Sequence, residues 1–150
     1  MKVLMVCLGN ICRSPLAEGI LADKVKQRNL DWHVDSAGTS GWHVGEPPDP
    51  RSIEKAIEFG IDITQQRSRQ VTREDLEEFD LILAMDASNY NNLKNLSDEK
   101  NHHDKIKLIL NYVYPERNMG VPDPYYDGGF QKVYDLLDEA TDQLIHHFVA

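Results

Sequence analysis

Four short strand-like runs, separated by segments of helical period, constrain this chain more than any other feature. Lys2–Val6, His33–Ala37, Asp80–Met85 and Lys105–Leu110 are each bounded by turn or cap residues, the pattern of brief buried strands. The segments between them carry helix signals. Ser14 suits an N-cap, Pro15 the first helical position, and Glu18 places negative charge near the positive end of the helix dipole. Leu16, Ile20, Leu21 and Val25 then recur at helical spacing, and Asn29 is a stop signal. Asp49-Pro50 opens a second helix whose Ile53, Ala56 and Ile57 are expected to face inward, with Gly60 ending it. Thr72-Arg73-Glu74-Asp75 has the form of a capping box. Asp86 caps a helix running to about Leu96, and Phe130, Val133, Leu137, Ala140, Leu144 and Phe148 mark a long last helix. The acidic run Glu74–Asp80 reads as a solvated helix face.

Strands alternating with helices imply an α/β fold: a single domain over residues 1–150, with a four-stranded parallel sheet covered by helices on both faces. In such sheets ligands bind beyond the carboxyl ends of the strands. Composition narrows the function. With 16 Lys+Arg against 25 Asp+Glu the net charge is −9, which disfavours nucleic acid and anionic lipid surfaces as general partners. Residues 1–75 carry 10 basic and 11 acidic side chains, residues 76–150 carry 6 and 14, so the acidity belongs to the second half. No apolar run approaches the roughly 20 residues of a membrane span. Two cysteines and no secretory signal point to a reducing compartment, the cytoplasm by default.

Chemistry concentrates in Cys7-Leu8-Gly9-Asn10-Ile11-Cys12-Arg13-Ser14, between the first strand and the first helix. A turn of this kind directs successive backbone N–H groups into one concavity, and the helix dipole adds positive potential there. Gly9 and Asn10 are the residue types that accept left-handed backbone angles. Arg13 adds a two-pronged donor matched to phosphate oxygens. A cysteine at the floor of such a loop is a candidate nucleophile, because a free pKa of about 8.5 falls by one to several units in these surroundings. The plain alternative is a small buried Cys7 beside a solvated Arg13. The loop's glycine, cap and helix start, all of which anion binding requires, weigh against it.

The stretch C-L-G-N-I-C-R-S-P-L-A-E resembles the signature of the low-molecular-weight protein tyrosine phosphatases. Three further stretches are similar in the same order: Asp35-Ser36-Ala37-Gly38-Thr39, Met85-Asp86-Ala87-Ser88-Asn89 and Asp123-Pro124-Tyr125-Tyr126. The resemblance implies hydrolysis of phosphotyrosine and small aryl phosphates without a cofactor or metal. Catalysis would fall to Cys7 as nucleophile, Arg13 as phosphate ligand and Asp123 as general acid and base, with the loop Leu8–Ser14 binding phosphate. Without the resemblance, Asp123-Pro124 is an ordinary turn starter. Ser14 matches a serine that hydrogen-bonds the cysteine sulfur, a role that competes or coexists with capping. Asn10 and Ser36 match the pair that holds the loop's shape. Gln66, three residues before Arg69-Gln70-Val71, stands where the family commonly has histidine.

Ile11, Trp42, Tyr125 and Tyr126 resemble the apolar rim around a phosphotyrosine ring, although exposed aromatics alone require no explanation. Family members acting on phosphoarginine carry Thr at the position of Ile11. The resemblance also implies a reversible Cys7–Cys12 disulfide that shields the nucleophile from over-oxidation. Phosphotyrosyl proteins are the expected partners, with inorganic phosphate and other oxyanions as inhibitors. Two rivals share the loop. An arsenate-reductase-like thiol oxidoreductase needs relay cysteines, and none follows Cys12; a non-catalytic phosphoanion-binding module has no need of both Cys7 and Asp123. The pairs His102-His103 and His146-His147 do not share a helix face, which argues against a metal site.

Overall fold

The computed structural model describes residues 1–149. Its strands are β1 (Lys2–Cys7), β2 (His33–Gly38), β3 (Leu81–Ala84) and β4 (Ile106–Leu108); its helices are α1 (Arg13–Gln27), α2 (Pro50–Glu58), α3 (Arg73–Glu78), α4 (Ala87–Lys94), α5 (Lys100–His103), α6 (Pro124–Asp127) and α7 (Phe130–Val149). The strands form one parallel sheet in the order β2-β1-β3-β4. The chain moves outward from β1 to β2, then returns to build the sheet on the other side. Neighbouring connections therefore diverge at the carboxyl end of β1, the switch point where ligands bind in sheets of this kind.

The two faces of the sheet bury different layers, as strand alternation dictates. Val3, Met5 and Cys7 of β1 face the layer of α1, α2 and α7, with Leu16, Ile20, Leu137 and Leu144. Leu4 and Val6 face the opposite layer with Leu76, Phe79, Ile82 and Leu93. The last helix buries Phe130, Val133, Leu137, Ala140 and Leu144 at the expected spacing. Three caps form in the predicted way: the Asp49 carboxylate accepts from Arg51 N, Thr72 and Asp75 close a capping box, and Asp86 accepts from Asn89 N.

Several expectations need correction. The N-cap of α1 is Cys12, with no side-chain cap bond; Ser14 lies inside the helix and turns its hydroxyl toward the loop, so Pro15 sits at the third position, where its missing N–H is still free of cost. The fourth strand shortens to Ile106–Leu108 because Ile109–Tyr112 coils into a 3₁₀ turn. Ile57 is 58% exposed and Phe148 44% exposed, each at the edge of its helix's apolar stripe. Asp75 is buried in the run expected to be solvated, because it both caps α3 and pairs with Arg69. Among the described residues, no helix is long and apolar enough to cross a membrane.

Candidate active site

The loop Leu8–Cys12 leaves the end of β1 at the switch point, and its carbonyls are drawn outward. Thr39 N donates to Cys7 O, Ser40 N and Oγ to Leu8 O, Ser68 Oγ to Gly9 O, and Asp49 N to Ile11 O. With carbonyls satisfied from outside, the amides turn inward. Among the described residues, the N–H groups of Leu8, Gly9, Ile11, Cys12, Arg13 and Ser14 donate to no protein group, while Asn10 N donates to Cys7 Sγ at 3.3 Å. The N-terminus of the 15-residue α1 points at the same concavity, which makes it a ready anion site.

Asn10 turns the loop. Its φ of +57° is left-handed, a conformation that asparagine tolerates better than most residues. Its side chain is satisfied on both ends: Nδ2 donates to Ser14 Oγ (2.7 Å) and Ser36 Oγ (3.0 Å), and Oδ1 accepts from Arg69 N (3.1 Å). Gly9, by contrast, does not adopt a positive φ. Its small size is needed because a Cβ there would lie 3.1 Å from the His43 ring. At Gly38 a Cβ would meet Leu8 O at 2.8 Å, so glycine lets the end of β2 pass close beneath the loop.

Cys7 Sγ sits 3.0 Å from Ser14 Oγ at the loop's floor. The serine serves the sulfur, and capping does not compete. Arg13 is only 3% exposed; its Nη1 donates to Asp86 Oδ2 (2.7 Å) and Val121 O (2.9 Å), and its Nη2 lies 3.7 Å from Asp123 Oδ2. Burial alone would lower the Arg13 pKa, but Cys7, Asp86 and Asp123 outweigh it and hold the pKa above its ordinary value. Val121 reaches this place because its N–H donates to Met85 O and Gly120 passes tightly beside Asp86. Asp123 caps the short α6, accepting from Tyr125 N at 3.0 Å, and stays partly exposed.

A cavity of about 240 Å³ opens over Cys7 and the loop. Arg13 and Asp123 line it together with Ile11, Trp42, Tyr125 and Tyr126. Trp42 is 74% exposed and Tyr126 81%, so the rim faces solvent. Cys7, Arg13, Asp123 and the four expected rim residues all line this cavity, while Asn10, Ser14 and Ser36 lie outside its lining. Arg51 braces the rim, stacking on Tyr125 and Phe130 while donating to Tyr125 O.

Cys12 borders the same cavity, and burial first, then Asp49, Cys7 and Asp123, pushes its pKa up to about 12. It is therefore a protonated thiol. Gln66 donates to Pro15 O, and no hydrogen bond joins it to Asn10 among the described residues. His102 is buried with Ser97 Oγ at one ring nitrogen and Glu77 at the other, and its ligand atom lies within 4.8 Å of Glu77 and Glu99; a ring bonded at both nitrogens is a packed histidine. His146 and His147 lie exposed on α7.

Sequence reasoning missed Asp86, Arg69, Glu18 and His43. Asp86 carried a legible capping signal but no sign that its second oxygen would reach Arg13. The pairing of Arg69 with Asp35 and Asp75 joins a loop residue to β2 and to α3, which no periodicity within one element records. His43 lay in a Gly/Pro-rich loop without periodicity.

The profile of the low molecular weight phosphotyrosine protein phosphatase family matches residues 2–149. A relative from Synechocystis sp. is 47% identical over 149 residues, 97% of this chain and 94% of its own length. The low molecular weight protein-tyrosine-phosphatase YfkJ of Bacillus subtilis is 43% identical over 96% of this chain and 93% of its own length. Its crystal structure superposes with a TM-score of 0.93, covering 100% of this chain and 97% of that one. A Drosophila arginine phosphatase superposes equally well, with a TM-score of 0.93 at 37% identity over 100% and 99% of the two chains. A profile that matches nearly the whole chain, together with relatives of this identity, leaves one assignment: the chain belongs to the low molecular weight phosphotyrosine protein phosphatase family and is a protein-tyrosine-phosphatase.

Proposed function

We propose that this phosphatase works through a phosphocysteine on Cys7. In the first displacement Sγ attacks phosphorus, the bond from phosphorus to the tyrosyl oxygen breaks, and Asp123 donates a proton to that leaving oxygen. In the second, Asp123 takes a proton from water, whose oxygen attacks phosphorus and releases the Cys7 sulfur and inorganic phosphate. The equatorial oxygens are held by the loop amides and by the N–H groups of Arg13 that Asp86 and Val121 leave free. Ser14 donates to the sulfur and eases its departure. No metal or cofactor enters either step.

The observation that carries this reading is the outward satisfaction of the loop carbonyls around a buried sulfur. It leaves a ring of amides with one anionic guest to bind, facing Arg13 and Asp123. Trp42, Tyr125, Tyr126 and the apolar Ile11 suit an aromatic phosphoryl donor, and they support phosphotyrosyl proteins over phosphoarginine as substrates. Inorganic phosphate and similar oxyanions would compete for the same amides. The relay of an arsenate-reductase-like enzyme has no further thiol to use, since Cys7 and Cys12 are the two cysteines of the chain. Two free thiols also suit the reducing cytoplasm in which we place the protein.

The test is hydrolysis of p-nitrophenyl phosphate and of a phosphotyrosyl peptide by wild type, Cys7→Ser and Asp123→Ala proteins. Cys7→Ser should lose turnover yet still bind oxyanions, and Asp123→Ala should lose roughly 10²–10⁴-fold in turnover. Undiminished turnover in Cys7→Ser would end the reading.

A further inference from the structure

The hydrogen bonds around Cys7 have a direction, and they lead to a carboxylate outside the cavity. Asn10 Oδ1 accepts from Arg69 N, which fixes the amide so that both Nδ2 protons are donated, one to Ser14 Oγ and one to Ser36 Oγ. Each serine oxygen is thus an acceptor from Asn10 and has its own proton to place. Ser36 places it on Glu18 Oε1 at 2.6 Å, and Ser14 faces Cys7 Sγ at 3.0 Å. Asn10, Ser14 and Ser36 are all buried, so water does not offer alternative partners.

We propose that Glu18 is a positioning residue: its carboxylate, when ionised, anchors the chain Ser36–Asn10–Ser14 that keeps the Ser14 proton directed at the Cys7 sulfur. The proposal rests on the reading of Cys7 as nucleophile and adds a proton-dependent control of it. A protonated Glu18 is a weaker acceptor for Ser36 and can itself donate to Ser36 Oγ. Ser36 would then receive two donors and lose the partner for its own proton, and the grip on Asn10 would loosen.

The surroundings set where that switch lies. Burial in the α1 layer, followed by the neighbouring charge of Asp35, raises the Glu18 pKa to about 7 against the Ser36 bond and Arg69. Arg69 offers little relief because its guanidinium is shared between Asp35 and Asp75. Asp23 and Lys26 from its own helix, and Asp62 and Arg67 from the segment after α2, line the adjoining cavity with charges of both signs. Gln66 in the same lining is neutral. Glu18 thus gains or loses its proton around neutral pH.

The experiment compares kcat on p-nitrophenyl phosphate from pH 5.5 to 8.5 for wild type, Glu18→Gln and Ser36→Ala. Glutamine keeps the shape and an acceptor oxygen but has no proton to lose. The ratio of wild type to Glu18→Gln should be near one at pH 5.5 and rise to about tenfold at pH 8.5, as a single titration centred near neutrality. The substrate's own titration cancels in the ratio. Ser36→Ala should remove the same inflection by cutting the chain. A ratio that stays constant across the range would overturn the proposal, as would a neutral inflection surviving in Ser36→Ala. Turnover by Cys7→Ser would instead overturn the reading of the nucleophile, so the two failures are distinguishable.

Discussion

Replacing Asn10 tests how the loop is held. Asn10→Ala removes three side-chain hydrogen bonds, to Ser14, Ser36 and Arg69 N, each contributing about 1 kcal/mol net. It also places alanine at a φ of +57°, where an L-residue other than Asn or Gly costs roughly 1–2 kcal/mol. Together these predict a loss of about 4 kcal/mol, a large part of the total stability of a domain this size, and a Tm lower by about 10 °C. Asn10→Gly loses the same bonds without the strain, so it should be more stable than Asn10→Ala by about 1 kcal/mol after its larger unfolded-state entropy is counted. Urea unfolding of both variants gives the two differences, and p-nitrophenyl phosphate turnover should fall in both because Ser14 is no longer oriented. An Asn10→Ala loss below about 1 kcal/mol, or glycine less stable than alanine, would refute the reasoning.

Three other outcomes follow from the same geometry. Arg13→Lys replaces a planar fork, whose Nη1 holds Asp86 and Val121 O while its other N–H groups face the phosphate, with a single nitrogen, so kcat/KM should fall roughly 10²–10³-fold in steady-state assays. After peroxide inactivation, thiol should restore wild-type activity, and Cys12→Ser should recover less well. With the Cys12 pKa pushed up to about 12, a Cys7–Cys12 disulfide should form slowly and should form faster as pH rises, which a time course of thiol loss would read. Glu18 binds its proton more tightly folded than unfolded, so its contribution to stability is present at low pH and is lost as pH rises from about 4.5 to about 7. Glu18→Gln should therefore be more stable than wild type at pH 8, by about 1–3 kcal/mol in urea unfolding, with the gain vanishing toward pH 5.

What the chain discloses in advance is local. Three of the four strand runs and the caps at Asp49, Thr72 and Asp86 depend on spacing within a few residues, and they form within a residue of their expected bounds. Errors arose where a residue had a partner outside its own element. Ser14 looks like a cap, but the Cys7 sulfur and Asn10 claim its hydroxyl. Asp75 looks solvated within an acidic run, yet Arg69 draws it inward. Lys105–Leu110 looks like a full strand, but only Ile106–Leu108 has β3 beside it. The loop at the end of β1 was legible because Cys7–Ser14 is contiguous. Asp86, Arg69 and Glu18 were not, since their roles depend on side chains 73, 34 and 18 residues away.

The central claim is that phosphate passes through the Cys7 sulfur. Acid quenching of wild type and Asp123→Ala during turnover of p-nitrophenyl phosphate, followed by mass analysis of the peptide holding Cys7, measures it directly. The account predicts one phosphoryl group on Cys7 in quenched samples and none in Cys7→Ser. A phosphoryl group on another residue, or turnover with no phosphoenzyme under any quench, would contradict it.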